Sequence, residues 1–220
     1  MKQMSNSFFF VKEGFKTVFI TAVLTGLVLL LCNAVILKLL AMVMLAVSLF
    51  LFRNPERDLE HFEPSAIMSV CDGIISNIET LECRGKIKGE CIKICITNRF
   101  IDASVLRAPF DASFALNETK RGAQLASHSG KAMVLNEQAK VMFTQNSDKE
   151  NKMVVKHYLN RFNLPISLSP NVGDRVEIAS PYGFILHGTI LVFLPVSARL
   201  DIKKGDEVKA GETILGYFTK

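Results

Sequence analysis

The sequence predicts a mainly β domain, either a barrel or a sandwich, that follows an N-terminal pair of apolar helices. Residues 15–52 are almost wholly apolar, whereas residues 53–220 have the composition of a soluble domain. After residue 65 the chain consists of short runs rich in Ile, Val and Phe, separated by Gly, Asp, Asn or Pro, as is typical of strands and turns. None of these runs keeps a 3.6-residue apolar period over three turns, which argues against a helical domain.

The apolar segment predicts a helical hairpin in a membrane. Its length of about 38 residues exceeds the ~20 residues of one membrane helix and suits two. We therefore expect helices over residues 15–32 and 35–52, with a tight turn near Asn33. A cleavable signal peptide is a weaker interpretation, because the segment is too long and no small-x-small cleavage site precedes the charged residues.

Basic residues flank the apolar segment on both sides, with Lys2, Lys12 and Lys16 before it and Arg53 and Arg57 after it. Such flanks are typical of the cytoplasmic side, so we expect an inner-membrane protein whose β domain lies in the cytoplasm. A re-entrant hairpin fits the charges equally well, since the helices are short and Lys38 lies near the turn. Residues 1–52 are thus the predicted hairpin, residues 53–65 a linker at the membrane surface, and residues 66–220 the β domain.

The charge indicates which partners to expect, and the cysteine content indicates the compartment. The net charge of +5 indicates attraction to anionic lipid head groups, and no basic-aromatic pattern of a nucleic-acid-binding protein is present. The five cysteines form no framework of pairs and predict a reducing compartment. Cys91 and Cys95 alternate as they would on one face of a strand, so we expect small core side chains there and no metal site.

An internal repeat supports the β prediction. Residues 171–176 (Asn-Val-Gly-Asp-Arg-Val) recur as residues 203–208 (Lys-Lys-Gly-Asp-Glu-Val). In each copy Gly-Asp is expected to form a tight turn, and the Val that follows is expected to begin a strand. The second copy continues in a pattern common in barrel-sandwich hybrid folds, but it lacks the modifiable lysine of lipoyl and biotinyl carriers. The repeat therefore indicates a fold and no function.

Five short motifs occur in one order that resembles the phosphatidylserine decarboxylase family. Residues 52–57 resemble its Phe-Arg-Asp-Pro-x-Arg, residues 69–73 its Ser-Pro-Ala-Asp-Gly, residues 101–109 its Phe-Asp-Val-His-Val-Asn-Arg-Ala-Pro, residues 136–137 its Asn-Glu-Arg, and residues 184–195 its self-cleavage segment. The likeness runs collinearly from about residue 50 to residue 220. It is similar in particular to the short form of the family, which has an N-terminal membrane hairpin.

The resemblance implies a reaction and a set of site residues. In the family a Gly-Ser bond breaks and the serine becomes a pyruvoyl group, which decarboxylates phosphatidylserine to phosphatidylethanolamine. The matching bond here is Gly188-Thr189, and Asp72 occupies the position of the family's orienting aspartate. Arg53 and Arg107 are expected to meet the lipid phosphate or to form surface ion pairs. If the chain is active, its cofactor is a 2-oxoacyl group made from the chain itself. Its expected partner is the membrane phospholipid phosphatidylserine, and an oligomer is compatible with the sequence.

The chain departs from the family pattern at the reacting residues. Ser104 stands where the family has the histidine base, and Thr189 stands where it has the serine. One residue is also missing just after Thr189, so Gly188 is an alternative match to that serine. Threonine can still perform the acyl shift and would give a 2-oxobutyryl group. His187 is a possible replacement base, but neighbouring strand residues point to opposite faces. Two hypotheses therefore stay open: an unusual decarboxylase, and a non-catalytic lipid-binding or regulatory module.

Overall fold

In the computed structural model, the described residues are 11–57, 63–84, 87–126 and 131–219. The chain divides into two compact units, Met1–Glu56 and Arg57–Lys220. The predicted linker over residues 53–65 includes the boundary between them, and its residues 58–62 lie outside the described part. His61 and His128, two of the four histidines, lie outside it as well.

Two apolar helices form the described part of the first unit. Helix α1 spans Lys12–Leu31, and α2 spans Val35–Leu51. Cys32, with φ −93° and ψ 132°, is already extended and ends α1. The segment Gly14–Leu31 is long and apolar enough to cross a membrane, whereas α2 has 17 residues and is shorter than that criterion. Since length and composition alone support it, membrane insertion of the pair remains a prediction.

Polar and small residues join the two helices. The buried Thr25 of α1 donates its hydroxyl to the carbonyl of Ala41 in α2 at 3.2 Å. At the other end of the pair, a Cβ on Gly14 would lie 2.3 Å from the ring of Phe52, so only glycine fits there. The backbone N–H of Val11 donates to the carbonyl of Phe52 at 3.1 Å. These contacts hold the two helices together within the pair and at its open end.

Apart from one short helix, the described helices and strands of the second unit are all strands, so the prediction of a mainly β domain is confirmed. Its described elements are β1 Ala66–Met68, β2 Gly73–Arg84, β3 Lys88–Asn98, β4 Val105–Arg107, β5 Ala112–Lys120, α3 Ala132–Leu135, β6 Gln138–Gln145, β7 Lys152–Leu159, β8 Ser167–Leu168, β9 Arg175–Val176, β10 Pro181–Phe184, β11 Gly188–Pro195, β12 Arg199–Leu200, β13 Glu207–Val208 and β14 Ile214–Tyr217. They form an eight-stranded sheet, β13-β2-β3-β11-β7-β6-β5-β9, and two three-stranded sheets, β1-β14-β12 and β4-β10-β8. The described strand pairs are antiparallel.

Strand β11 lies in the middle of the large sheet and pairs with β3 on one side and β7 on the other. Gly188, its first residue, is opposite Asn98 at the end of β3 and Leu159 at the end of β7. The loops after β3 and β7 and the segment before β11 therefore leave the sheet at the same end of these strands. We call this end of the sheet the Gly188 edge. Pro195, the last residue of β11, lies at the other end of the strands, which is the opposite edge.

Alternation along the strands determines the core. Ile94 and Ile96 of β3, Val155 of β7 and Ile190 and Val192 of β11 are fully buried and belong to one hydrophobic cluster. Burial of such a side chain stabilises the folded state by about 1.5–3 kcal/mol. The β-branched residues that predict these strands from the sequence are thus the same residues that hold the sheet against the smaller sheets.

The internal repeat forms two equivalent turns, as predicted. Gly173 and Gly205 have φ of 98° and 97°, a conformation that favours glycine. In the first copy the carboxylate of Asp174 accepts from the N–H of Asn171 at 2.8 Å, and in the second copy Asp206 accepts from Lys203 at 2.7 Å. Strands β9 and β13 begin one residue after each Asp.

The cysteines differ from the sequence-based expectation. Cys83 and Cys91 form a disulfide across the β2–β3 hairpin, with Cα atoms 5.9 Å apart, whereas we expected reduced thiols throughout. The expectation of core side chains is also wrong for Cys95. Since Ile94 and Ile96 face the core, Cys95 lies on the other face and is half-buried. The alternation fixes which residues share a face, but it does not fix which face packs inward.

Candidate functional site

The bond Gly188-Thr189 lies at the start of the central strand β11. A Cβ on residue 188 would be 2.3 Å from the carbonyl oxygen of Tyr158, so the close approach of β7 requires glycine here. Thr189 is half-buried and is opposite Thr97 in β3 and Tyr158 in β7. The residues on both sides of the bond are thus held extended by neighbours on two strands.

Asp72 lies in the turn before β2, and its carboxylate accepts hydrogen bonds from three groups. Nη2 of Arg57 donates to both carboxylate oxygens, at 2.8 and 2.7 Å. The backbone N–H of Ala210 donates at 2.8 Å, and that of Ala103 at 3.4 Å. The Arg57 and Asp72 side chains are only 7% and 13% exposed. The carboxylate is therefore held in place and compensated by a cation.

Arg57 connects this carboxylate to a second one. Its Nη1 donates to Oε1 of Glu212 at 3.1 Å, and Nζ of Lys209 lies 3.5 Å from the same side chain. These cations lower the pKa of Glu212 in spite of the partial burial that raises it. Within the described residues Nε of Arg57 is buried without a hydrogen-bond partner. Sequence reasoning placed Arg57 only in a basic flank and in the first motif, and it did not consider Glu212.

Ser104 lies between Asp72 and the segment that precedes Gly188. The N–H of its neighbour Ala103 contacts the Asp72 carboxylate, and its own carbonyl accepts from the N–H of Ile185 at 3.0 Å. Ser104 is 2% exposed. The backbone thus brings the positions of the family's aspartate and base to the Gly188 edge, but the residue at the base position has a hydroxyl and no imidazole.

Asn98 fixes the loops at this edge, and no sequence pattern indicated it. Its side-chain amide donates to the carbonyl of Asp72 at 2.9 Å and to that of Ala103 at 3.3 Å. Because Asn98 is also opposite Gly188 in the sheet, one side chain links the strand with the reacting bond to both loops.

The imidazole of His187 packs away from the sheet. Its ring lies 3.6 Å from that of Phe100 by centroid distance, and its backbone carbonyl accepts from the side-chain amide of Asn163. Desolvation lowers the pKa of His187, and hydrogen bonds to the carbonyls of Phe162 and Arg161 oppose this effect. Nε2 is buried and has no partner among the described residues. The described contacts therefore hold the ring against the loops after β3 and β7.

His157 faces the core from β7. Its Nε2 is 2.9 Å from the hydroxyl of Tyr182, and its Nδ1 is 3.3 Å from the carbonyl of Ala139. Burial lowers the pKa of His157 to about 4, so the ring is neutral near pH 7. Both ring nitrogens are occupied by these contacts. Tyr182 is 25 residues away in the chain, and no sequence pattern indicates this contact.

The two arginines expected at the lipid phosphate have different surroundings. Arg107 is 8% exposed, and its Nη1 donates to the carbonyl of Ala179 at 2.9 Å. Burial, and then the charge of Arg57, lower the pKa of Arg107. Arg53 belongs to the first unit, where its guanidinium stacks over Phe50 at 3.9 Å from the ring centroid. Among the described residues no group of three His, Cys, Asp or Glu side chains could hold a metal ion.

Comparison with known proteins agrees with the motifs. The family model for phosphatidylserine decarboxylase matches residues 45–216. The phosphatidylserine decarboxylase proenzyme of Desulfotalea psychrophila is 32% identical, over 79% of this chain and 80% of its own. The proenzyme of Geotalea uraniireducens is 29% identical, over 94% of this chain and 95% of its own. That of Ehrlichia canis is 27% identical, over 81% of this chain and 80% of its own. The chain therefore belongs to the phosphatidylserine decarboxylase family.

Proposed function

We propose that this chain is a membrane-anchored member of the family that stays uncleaved and binds phospholipid, with phosphatidylserine as the expected ligand, without decarboxylating it. The observation that carries this proposal is the residue at the position of the family's base. That position holds the buried Ser104, which has no imidazole, next to the pair of Asp72 and Arg57. The Gly188-Thr189 bond then remains an ordinary peptide bond of β11.

Self-cleavage needs a base, because the hydroxyl must lose its proton as it attacks the glycine carbonyl. Positioned acid-base groups typically accelerate such steps by about 10²–10⁴-fold. The hydroxyl of Ser104 cannot take up a proton near neutral pH. The nearby Asp72 carboxylate already accepts hydrogen bonds from Arg57 and from two backbone N–H groups. The absence of a base at residue 104 therefore supports a slow or absent cleavage.

The residues present do not fit the pyruvoyl group of the family. A pyruvoyl group derives from serine, and Thr189 has an additional methyl group, so cleavage here would leave a 2-oxobutyryl group. The hydroxyl of a β-branched residue is also restricted at χ1, and Thr189 is constrained by strands on both sides. We therefore derive no step through a pyruvoyl group in this chain.

Lipid binding is supported by charge and by the apolar helices. Arg57 pairs with Asp72 and Glu212, and Arg107 is a second buried cation on which the charges of these three side chains act. Such a cluster is suited to an anionic phosphate that competes with the carboxylates. Helix α1 has the length and hydropathy of a membrane anchor. Anchoring keeps such a site at the surface where phospholipid is abundant.

The alternative is an active decarboxylase that uses Thr189. One observation favours it: a hydroxyl-bearing residue still follows Gly188 at the start of β11, and Asp72 lies beside the base position at the same edge of the sheet. Under this alternative Asp72 would take the proton from the Thr189 hydroxyl directly, with no imidazole between them.

The mass of the purified full chain separates the two functions. We expect one species of 24.5 kDa and no fragment of residues 189–220. A fragment with a blocked, keto-containing N-terminus would overturn the proposal. Vesicles that contain phosphatidylserine then test turnover, with Thr189→Ala as the control for any reaction that does not depend on cleavage. Formation of phosphatidylethanolamine by the native chain but not by that variant would establish the alternative.

A further inference from the structure

Among the described residues, six exposed apolar side chains lie on two loops and one short helix at the Gly188 edge. Phe100 and Ile101, after β3, are 44% and 59% exposed, and Phe162, after β7, is 73% exposed. The short helix α3, before β6, adds Met133, Val134 and Leu135, which are 51%, 64% and 48% exposed. We call these six side chains the apolar rim. An exposed apolar patch of this kind typically marks an interaction surface.

The sheet register places the three segments at one edge. Strand β3 ends at Asn98, opposite Gly188, and β7 ends at Leu159, opposite the same residue. Strand β6 begins at Gln138, opposite Tyr158 of β7. The loops after β3 and β7 and the helix before β6 therefore extend beyond the same end of the sheet.

Hydrogen bonds and ring contacts link these segments to one another. Phe100 packs on His187, whose ring bonds to the carbonyl of Phe162. Gln124 and Asn163 exchange two hydrogen bonds, at 3.0 and 3.1 Å. The segment with Gln124 is tied in turn to the end of α3, since the N–H of its neighbour, residue 123, donates to the carbonyl of Leu135 at 2.7 Å. The three segments that carry the apolar rim are thus held to one another.

Phe162 has an unusual backbone conformation. Its φ of 59° is in the left-handed region, which bulky residues rarely adopt. The conformation holds a 73% exposed aromatic ring outward, with the guanidinium of Arg161 at 4.7 Å from its centroid. Strained residues tend to cluster at functional sites, so the conformation of Phe162 indicates that its exposed ring contacts a ligand.

The charge around the rim is positive. The carboxylates of Asp102 and Glu137 are buried and paired with Arg99 and Arg121, and Arg99 also pairs with the exposed Glu207. Lys131 and Arg161 are exposed, and in the described part of the chain neither has a carboxylate partner. An apolar surface with uncompensated cations fits the interface of an anionic bilayer. A second copy of the chain fits less well, because a symmetric contact would bring like charges together.

We propose that the apolar rim inserts into the interface of an anionic phospholipid bilayer and turns the Gly188 edge toward the lipid head groups. This contact is additional to the helices of the first unit. It deepens the proposed function, on whose lipid-binding component it rests, and it does not depend on whether Gly188-Thr189 is cleaved.

The chain contains no tryptophan, so a single introduced one reports its own surroundings. Phe162→Trp places the reporter on the rim, and Ile101→Trp places a second one there in case the first variant does not fold. Val196→Trp is the matched control, since Val196 is 50% exposed and follows Pro195 at the opposite edge. Each full chain is reconstituted into phosphatidylcholine vesicles, with or without phosphatidylglycerol, that contain lipids brominated in their acyl chains.

We expect the brominated lipids to quench the rim reporters several-fold more than Val196→Trp, and more strongly when phosphatidylglycerol is present. Charge reversal by Lys131→Glu with Arg161→Glu should lower the quenching in anionic vesicles toward that of the control. Lys149→Glu, at an exposed residue of the β6–β7 turn on the opposite edge, should leave it unchanged.

Equal quenching of the rim and control reporters would overturn the proposal. A rim reporter that is shielded from aqueous acrylamide but not quenched by brominated lipid would also overturn it and would indicate a second copy of the chain as the occupant. If the chain self-cleaves and its rim reporters are still quenched, the proposal of lost cleavage fails and the proposal of membrane contact stands. The two proposals can therefore fail separately.

Discussion

One nitrogen of Arg57 donates to both carboxylate oxygens of Asp72, and these two side chains are only 7% and 13% exposed. In the sequence the two residues belong to different motifs, residues 52–57 and 69–73. The pair joins those motifs at the Gly188 edge, where a self-cleaving chain needs a base.

Arg57→Met should strongly destabilise the β unit. It leaves the buried carboxylate of Asp72 without its cation, and loss of one partner of a buried ion pair costs about 3–5 kcal/mol. Arg199→Met is the matched control, because Arg199 is 75% exposed and its ion pair with Asp201 should contribute at most about 1 kcal/mol. Denaturant unfolding of the full chain in detergent measures both. Equal losses for the two variants would show that Arg57 does not act through burial.

A double variant refines this test. If the cost of Arg57→Met arises from the unpaired carboxylate, Asp72→Asn in the same chain should recover part of the lost free energy of unfolding. Additive losses would mean that the two side chains contribute independently, contrary to the hydrogen bonds between them.

Gly188→Ala should destabilise the sheet whether or not the chain cleaves. The added methyl group would lie 2.3 Å from the carbonyl oxygen of Tyr158, and the displacement of a strand to accommodate it costs about 1–3 kcal/mol. Gly26→Ala in α1 is the control, since a Cβ there meets nothing within 4 Å. Thermal unfolding should show a lower midpoint for the first variant only. An unchanged midpoint would show that β7 moves without cost.

The features that follow from local pattern could be predicted from the sequence. The β class was predicted from short runs rich in Ile, Val and Phe, and the equivalent turns at Gly173 and Gly205 from the repeated Gly-Asp pair. Each of these depends on residues that are close in the chain. The resemblance placed Gly188 and Thr189 within residues 184–195, and β11 begins at Gly188.

The missed features depend on distant residues. Arg57 and Glu212 are 155 residues apart, and the partners His157 and Tyr182 are 25 apart. No periodicity encodes such contacts, because the course of the whole sheet brings them together. The Cys83–Cys91 disulfide does not follow from the sequence for another reason: five cysteines without a framework of pairs indicate a reducing compartment, whereas these two face each other across a hairpin.

His157 should make the chain less stable in acid. Its folded-state pKa of about 4 lies below the ordinary value of 6.5, so the unfolded chain binds a proton in this interval and the folded chain does not. Its contribution to stability is complete above about pH 6.5 and falls as the pH drops toward about 4, by about 1.4 kcal/mol per pH unit. His157→Gln removes the titrating group but keeps polar atoms near Tyr182.

Because carboxylates also titrate in acid, the measured quantity is the difference between the native chain and His157→Gln. Between about pH 7 and pH 4.5 the free energy of unfolding of the native chain should fall by about 2–3 kcal/mol more than that of the variant. Parallel pH profiles would show that the ring of His157 is accessible to protons in the folded state.

The loss of self-cleavage should be reversible by two substitutions. Thr189→Ser alone supplies the family's hydroxyl but no base, and Ser104→His alone supplies an imidazole beside Asp72 but keeps the hindered hydroxyl. We expect both single variants to stay intact and the double variant to release residues 189–220, since a positioned base accelerates proton transfer by about 10²–10⁴-fold. Intact mass over a time course measures the rate of release. Adding Asp72→Asn to the double variant should slow it again, because the new imidazole then lacks its carboxylate partner. Cleavage by Thr189→Ser alone would show that the lost serine, rather than the missing imidazole at residue 104, is what keeps the native chain whole.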